Sequence, residues 1–212
     1  MTRDRILARL AGTLGRLDAP VDIEGAIERK TERVRGDFQT DPSLPVRKDV
    51  RPAAVLVPLV DHPDGFSVLL TLRNAALQRH AGQVAFPGGR MDQEDTTVSS
   101  TALRETEEEI GLPRSTIEIV GRLDDYITGT GFIVAPIVGL VRPPFVAKPD
   151  PREVEAVFEV PLAFLLDPAN HRRESRLFNG VERRFYAMPY GDKYIWGATA
   201  AMIMNLYDVL RD

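Results

Sequence analysis

The sequence predicts an α+β domain in which a mixed β-sheet is layered between α-helices. Three observations carry that expectation. Apolar strand-like runs are scattered among helical segments without regular βαβ alternation. No helix is opened by a G-x-G-x-x-G turn or by G-K followed by Ser or Thr, so the two common nucleotide folds are disfavoured. The length, 212 residues, suits one substantial core with a small appendage.

Ile6, Leu10, Leu14 and Leu17 recur at helical spacing before Pro20, predicting a first helix. Asp22 is placed to cap a second one running through Ala26, Ile27 and Val34. Residues 37–50, with Pro42 and Pro45, read as a connector. Residues 1–50 therefore form a helical arm and connector, a candidate for packing or homodimer formation, and residues 51–212 form the main domain.

The apolar run from Ala53 to Val60 predicts a buried strand despite Pro58, and Phe66 to Leu72 a second one, joined as a hairpin through Asp61–Gly65. Val84 to Phe86 leads into a Pro87-Gly88-Gly89 turn. A helix follows from Thr97 to Ile110, ended by Gly111 and kept from continuing by Pro113. Further strands are expected at Thr116–Leu123, Phe132–Val141, Val154–Val160 and Glu182–Met188. A last helix near Tyr194–Arg211 aligns Ile195, Ala198, Met202, Leu206 and Val209, with Trp196 as a core anchor.

Composition narrows the function by exclusion. Hydrophobic residues make up 43% and charged residues 27%, ordinary for a globular chain. A net charge of −4 gives no overall pull toward nucleic acid or anionic membrane, and no apolar run is long enough to span a bilayer. Without cysteine there is no disulfide, thiolate metal site or cysteine nucleophile. The N-terminus lacks the apolar core of a secretory signal, and Asp4 and Asp18 among Arg3, Arg5, Arg9 and Arg16 fit a surface helix better than a transit peptide. A cytoplasmic location is expected.

Chemistry concentrates between Phe86 and Leu112: Phe-Pro-Gly-Gly, fourteen residues, then Arg104-Glu105, Glu108-Glu109 and Gly111-Leu112. On a helix, Glu105, Glu108 and Glu109 fall within an arc of roughly 100°, with Glu107 nearly opposite and Leu103, Thr106 and Ile110 on an adjoining face that packs inward. Like charges so crowded cost stability unless a cation neutralises them. A hard divalent ion with oxygen ligands, Mg²⁺ or Mn²⁺, does so and bridges carboxylates to substrate phosphates. His80 has no second histidine beside it, while His62 and His171 read as solvated turn residues.

These residues resemble the Nudix hydrolases, whose signature is G-x5-E-x7-R-E-U-x-E-E-x-G-U with U apolar. Gly89, Arg104, Glu105, Glu108, Glu109, Gly111 and Leu112 match it. Asp95 stands at the first acidic position, one extra residue precedes Arg104, and Thr106 replaces an apolar residue. Upstream, Leu69-Leu70-Thr71-Leu72-Arg73, Gly82 and Phe86-Pro87-Gly88-Gly89 resemble the motif of the coenzyme A pyrophosphatases within that family. There Asn74 replaces a small residue, and Gln78, followed by Arg79, stands where arginine is expected.

The resemblance implies metal-dependent hydrolysis of the diphosphate bond of coenzyme A or an acyl-CoA, giving 3′,5′-ADP and (acyl-)4′-phosphopantetheine. ADP-ribose or NADH is the alternative substrate, and a non-catalytic nucleotide sensor the alternative class. It implies metal ligation by Glu105, Glu108, Glu109 and the carbonyl of Gly88, with Mg²⁺ or Mn²⁺ as cofactor. Arg104 fixes the carboxylates by forked hydrogen bonds, and Asp95 holds the loop onto the helix. The resemblance places the general base either in the signature itself or on a later loop, where Glu153 is the candidate, and it counts Glu105 and Arg104 with Glu153 as catalytic. Arg73 is a candidate phosphate clamp, and Arg79 a candidate replacement for the arginine missing at position 78. The implied partner is a small nucleoside diphosphate derivative, with neither nucleic acid nor membrane.

Overall fold

A computed structural model describes residues 1–28, 33–42, 44, 49–78, 80–178 and 180–211. In chain order the first elements are α1 (Arg3–Leu10), α2 (Ile23–Ile27), β1 (Val34–Gly36), α3 (Asp37–Thr40), β2 (Arg51–His62), β3 (Gly65–Arg73), β4 (Val84–Ala85) and β5 (Gly88–Arg90). Then come α4 (Val98–Ile110), β6 (Ile117–Arg122), β7 (Asp125–Ile127), β8 (Phe132–Val141), β9 (Val154–Pro161) and α5 (Leu162–Leu165). The chain closes with β10 (Arg172–Phe178), β11 (Val181–Tyr190), β12 (Lys193–Trp196) and α6 (Gly197–Leu210).

One sheet carries β1 to β9. Its central strands β2 and β8 run parallel over ten paired residues, β3 pairs antiparallel with β2, β4 and β9, and β5 pairs with β2. A second, antiparallel sheet carries β10, β11 and β12. Strand alternation decides what each face meets. Ala54 and Leu56 of β2, with Ala135 and Ile137 of β8, pack on Val98 and Ala102 of α4. Their neighbours Val57, Leu59, Val138 and Leu140 join the core that α1, α6 and β11 cover from the other side. The mixed sheet thus lies between helical layers, as expected.

Several elements differ from the sequence expectation. The first helix changes to a 3₁₀ turn over residues 11–16, where Gly12 and Gly15 weaken an α-helix. Ile6 and Leu10 are fully buried, but Leu14 is 46% exposed. Asp22 does cap α2, its Oδ1 accepting the Gly25 N–H at 2.8 Å, but that helix stops at Ile27 and Val34 lies in β1, paired with Asp125. The expected connector contains α3, while Pro45 lies outside the described residues.

The Pro87-Gly88-Gly89 turn is partly strand: β5 lies so close to β2 that a Cβ on Gly88 would sit 2.4 Å from the Ala54 carbonyl oxygen. The last helix begins at Gly197, and Tyr194 to Trp196 instead complete β12, leaving Trp196 half-buried at a sheet edge. His62 and His171 are engaged rather than solvated. His62 Nε2 lies 2.6 Å from Glu159 Oε2, and His171 Nε2 2.7 Å from the Leu165 carbonyl oxygen.

Candidate active site

Helix α4 is built by its own sequence. Thr97 Oγ1 accepts the Ser100 N–H and Ser100 Oγ accepts the Thr97 N–H, closing a reciprocal cap at the start. Gly111, at φ 64°, ends it in the left-handed region, its N–H returning to the Glu107 carbonyl at 2.9 Å. Between these ends, Thr101, Ala102, Thr106, Glu109 and Ile110 are buried, whereas Leu103 is only half-buried. Glu107 points away to pair with Arg114 at 2.9 Å.

Glu109 is 3% exposed, under the Phe-Pro-Gly-Gly turn. Its Oε2 accepts the Gly88 N–H at 3.1 Å, and its Oε1 lies 3.2 Å from Arg73 Nη1. Arg73 reaches it because residues 69, 71 and 73 of β3 share the face toward α4. Burial pushes the Glu109 carboxyl up to about 7; Gly88 and Arg73 oppose the shift, while the charges of Glu153 and Glu105 add to it. Burial also raises Glu105, against the nearby Arg104, with Glu108 and Glu153 contributing repulsion. Gly89 leaves room for that carboxylate, since a Cβ there would lie 2.5 Å from it.

Arg104 hydrogen-bonds to four oxygen-bearing partners and lies 3.6 Å from a fifth, Asp92. Its Nε and Nη2 fork onto Asp95 at 3.1 and 2.8 Å, and Nη2 also reaches the Arg90 carbonyl at 3.2 Å. Its Nη1 bonds Glu105 at 2.9 Å and Glu108 at 3.0 Å. The fork holds the Asp95 carboxyl down to about 2, and Asp95 in turn accepts the Asp92 N–H at 2.9 Å, fixing the loop ahead of the helix.

The segment before β9 straps onto the far end of α4. The Lys148 N–H donates to the Ile110 carbonyl at 2.7 Å and the Asp150 N–H to the Glu109 carbonyl at 2.9 Å. Asn74 holds the strap from β3: its N–H donates to the Glu153 carbonyl at 2.9 Å and its Nδ2 to the Pro151 carbonyl at 2.5 Å. The exposed Glu153 is thereby set where its charge acts on both Glu105 and Glu109. In the sequence Asn74 is only a departure from a motif; its bonds to the strap become visible once β3 and β9 are paired. Gln78 is exposed, and Arg79 lies outside the described residues.

Among the described residues, no three His, Asp or Glu side chains converge on a single point, because Glu105 and Glu108 turn toward Arg104 and Glu109 toward Arg73. The donor chemistry nevertheless fits a hard divalent cation. The set is oxygen only, and two of its three carboxylates are disfavoured as anions where they stand, so added positive charge stabilises them. No helix among the described residues is long and apolar enough to cross a membrane.

Comparison with known proteins identifies the family. Residues 50–178 match the NUDIX domain family. The chain is 42% identical over 156 residues to an uncharacterized Nudix hydrolase NudL of Escherichia coli (strain SMS-3-5 / SECEC), a match covering 74% of this chain and 81% of the relative. Its identity to the NudL of Photorhabdus laumondii is 41% over 156 residues, covering 74% and 83%. The crystal structure of DR0079 from Deinococcus radiodurans superposes with a TM-score of 0.50 at 14% identity, covering 80% of this chain and 89% of that one, a likeness of fold alone. With more than half its length matched to the domain and close relatives covered over most of theirs, the chain belongs to the Nudix hydrolase family and is a pyrophosphohydrolase.

Proposed function

We propose that the chain hydrolyses the diphosphate bond of coenzyme A or an acyl-CoA, with Mg²⁺ or Mn²⁺ held by Glu105, Glu108, Glu109 and the Gly88 carbonyl. The observation that supports this most is the meeting of two distant motifs at one carboxylate. Arg73, which ends the Leu69-Leu70-Thr71-Leu72-Arg73 strand, lies on Glu109 of the helix beneath Phe86-Pro87-Gly88-Gly89. A bound divalent ion supplies neutralising charge to the phosphate oxygens and acidifies water.

The protein's own residues have the remaining work. Glu153 accepts the proton of the attacking water as the new P–O bond forms and the bridging P–O bond breaks, its electron pair leaving on the departing phosphate oxygen. Arg104 keeps Glu105 and Glu108 oriented from behind. Arg73 offers a phosphate oxygen its fork once Glu109 is otherwise neutralised. The substrate is a small nucleoside diphosphate derivative, met in the cytoplasm. Residues 51–212 are proposed as the catalytic unit; the arm of residues 1–50 carries none of these groups, although α1 packs into the same core and β1 joins the same sheet.

The test is to incubate the purified protein with Mg²⁺ or Mn²⁺ and CoA, ADP-ribose, NADH or nucleoside triphosphates, and to identify the products. Release of 3′,5′-ADP and 4′-phosphopantetheine, with the highest kcat/KM for CoA, is expected. Preference for ADP-ribose or NADH moves the reading to that substrate class. Binding without cleavage of any of them moves it to a sensor.

A further inference from the structure

Successive residues of β3 point to opposite faces, so the residue before Arg73 faces away from the carboxylates. That residue, Leu72, helps line an open cavity of about 530 Å³ between the end of the large sheet and the small one. Val84 of β4 adds apolar surface, while Tyr194 and Trp196 of β12 and Arg176 of β10 form the opposing wall. The volume lies within the range of small-ligand pockets, roughly 300–1,000 Å³.

Arg176 is presented in a particular way. Its guanidinium carbon stands 4.9 Å from the Tyr194 ring centre, 5.6 Å from Trp196 and 5.8 Å from Phe185. Tyr194 is fixed in turn by donating its hydroxyl proton to Glu174. Among the described residues Arg176 forms no ion pair; its guanidinium is supported by the aromatic rings and interacts with the Tyr194 hydroxyl, which leaves further donors of the fork to face the cavity. Lys193 adds a second cation. Of the two acidic residues in the lining, Asp192 is paired with Lys193 at 2.7 Å, and Glu155 is exposed at the rim. The cavity also adjoins the reacting centre. Gly82 lines it and donates its N–H to the Arg73 carbonyl at 3.1 Å, and Glu155 follows Glu153 by two residues.

We infer that this cavity is a second subsite, which takes the planar, phosphomonoester-bearing end of the diphosphate substrate: Arg176 and Lys193 bind the phosphate, and Tyr194 and Trp196 lie against the ring. Assigning the ligand to the non-reacting end of the substrate rests on the proposed function; occupancy of the cavity does not.

Trp196 is the only tryptophan of the chain, so its fluorescence reports on this cavity directly. The full chain is titrated in EDTA with 3′-AMP, and with adenosine as the phosphate-free control. A saturable fluorescence change with 3′-AMP is expected, with adenosine at least about tenfold weaker. Arg176→Gln should weaken 3′-AMP by roughly ten- to a hundredfold, Arg176→Lys should recover part of the loss, and Lys193→Gln should weaken it separately, all with unchanged circular dichroism. With CoA and dephospho-CoA as substrates, Arg176→Gln should raise KM for CoA alone. No saturable change in the unmodified protein, equal binding of adenosine, or unchanged binding by Arg176→Gln overturns the subsite. If the unmodified protein binds 3′-AMP as described but cleaves neither CoA nor dephospho-CoA, the subsite stands and the proposed substrate fails.

Discussion

Glu109 carries the largest electrostatic cost at the site, being a buried carboxylate with only Gly88 and Arg73 to offset its desolvation. Replacing it with Gln keeps the shape and the bond from Gly88 but removes the charge. Hydrolysis should fall by orders of magnitude, roughly a hundredfold or more, because cation binding and water activation both need the anion. Stability in EDTA should stay equal or rise. The direction with pH follows from linkage. The folded carboxyl titrates at about 7 against 4.5 for an ordinary glutamate, so between these values the folded state binds more protons and stability falls as pH rises. Below about pH 4.5 the penalty is absent, and above about pH 7 it is complete. Melting temperatures of Glu109→Gln and the unmodified protein in EDTA should therefore diverge in favour of the variant across this window. Parallel curves would show that Glu109 does not titrate there. The three glutamates on one arc were legible because helical spacing is local. The Arg73–Glu109 contact was not, since its partners are 36 residues apart and meet only through the sheet.

At the scale of the element, α4 joins stability to function through its two ends. Thr97→Ala removes one N-terminal acceptor and should cost about 1 kcal/mol, lowering Tm by roughly 2–4 °C for a chain of this size. It should leave kcat near normal, because the carboxylates lie two to three turns away. Gly111→Ala is different. It forces a side chain into φ 64°, costing about 1–2 kcal/mol, and its Cβ would lie 3.0 Å from Lys148 Cβ, pressing on the strap that sets Glu153. Calorimetry should show similar or greater destabilisation, and kinetics well below Tm should show a lowered kcat that Thr97→Ala lacks. Equal kcat in the two variants would detach the strap from catalysis. Both ends of α4 were legible because caps and left-handed glycines are local signals. The short strands β1, β5, β7 and β12 were not, because three or four residues carry no periodicity and are held by their partners. β10, Arg-Arg-Glu-Ser-Arg-Leu-Phe, has no apolar alternation to reveal it.

Across the whole molecule, one buried arginine ties residues 16–19 to the sheet, and the neighbouring Asp124 links the same segment to α6. Arg122 forks onto Asp125, both Nη2 contacts at 2.9 Å, and its Nη1 donates to the carbonyls of Arg16, Leu17 and Ala19 at 3.2, 3.4 and 2.5 Å. Asp124 next to it receives Arg16 and Arg35 at 3.1 Å each, and Asn205 of α6 at 3.2 Å; Arg35 also reaches Asp208 at 2.7 Å. Nothing in the sequence links these residues, because their spacing follows from how the layers stack. Arg122→Met preserves much of the volume but leaves Asp125 buried without its counter-charge and three carbonyls without a donor. Breaking such a pair costs about 3–5 kcal/mol, a large share of the stability of any domain. Urea denaturation should show that loss for Arg122→Met. The double variant Arg122→Met/Asp125→Leu should recover a substantial part, since it removes the stranded charge. The molecules that remain folded should keep their KM, because none of the bonds in this network involves Arg73, Gly88 or the carboxylates of α4. A single variant within about 1 kcal/mol of the unmodified protein would mean that water or a local shift satisfies Asp125, and that apolar packing of Ile6 and Leu10 alone holds the N-terminal segment in place.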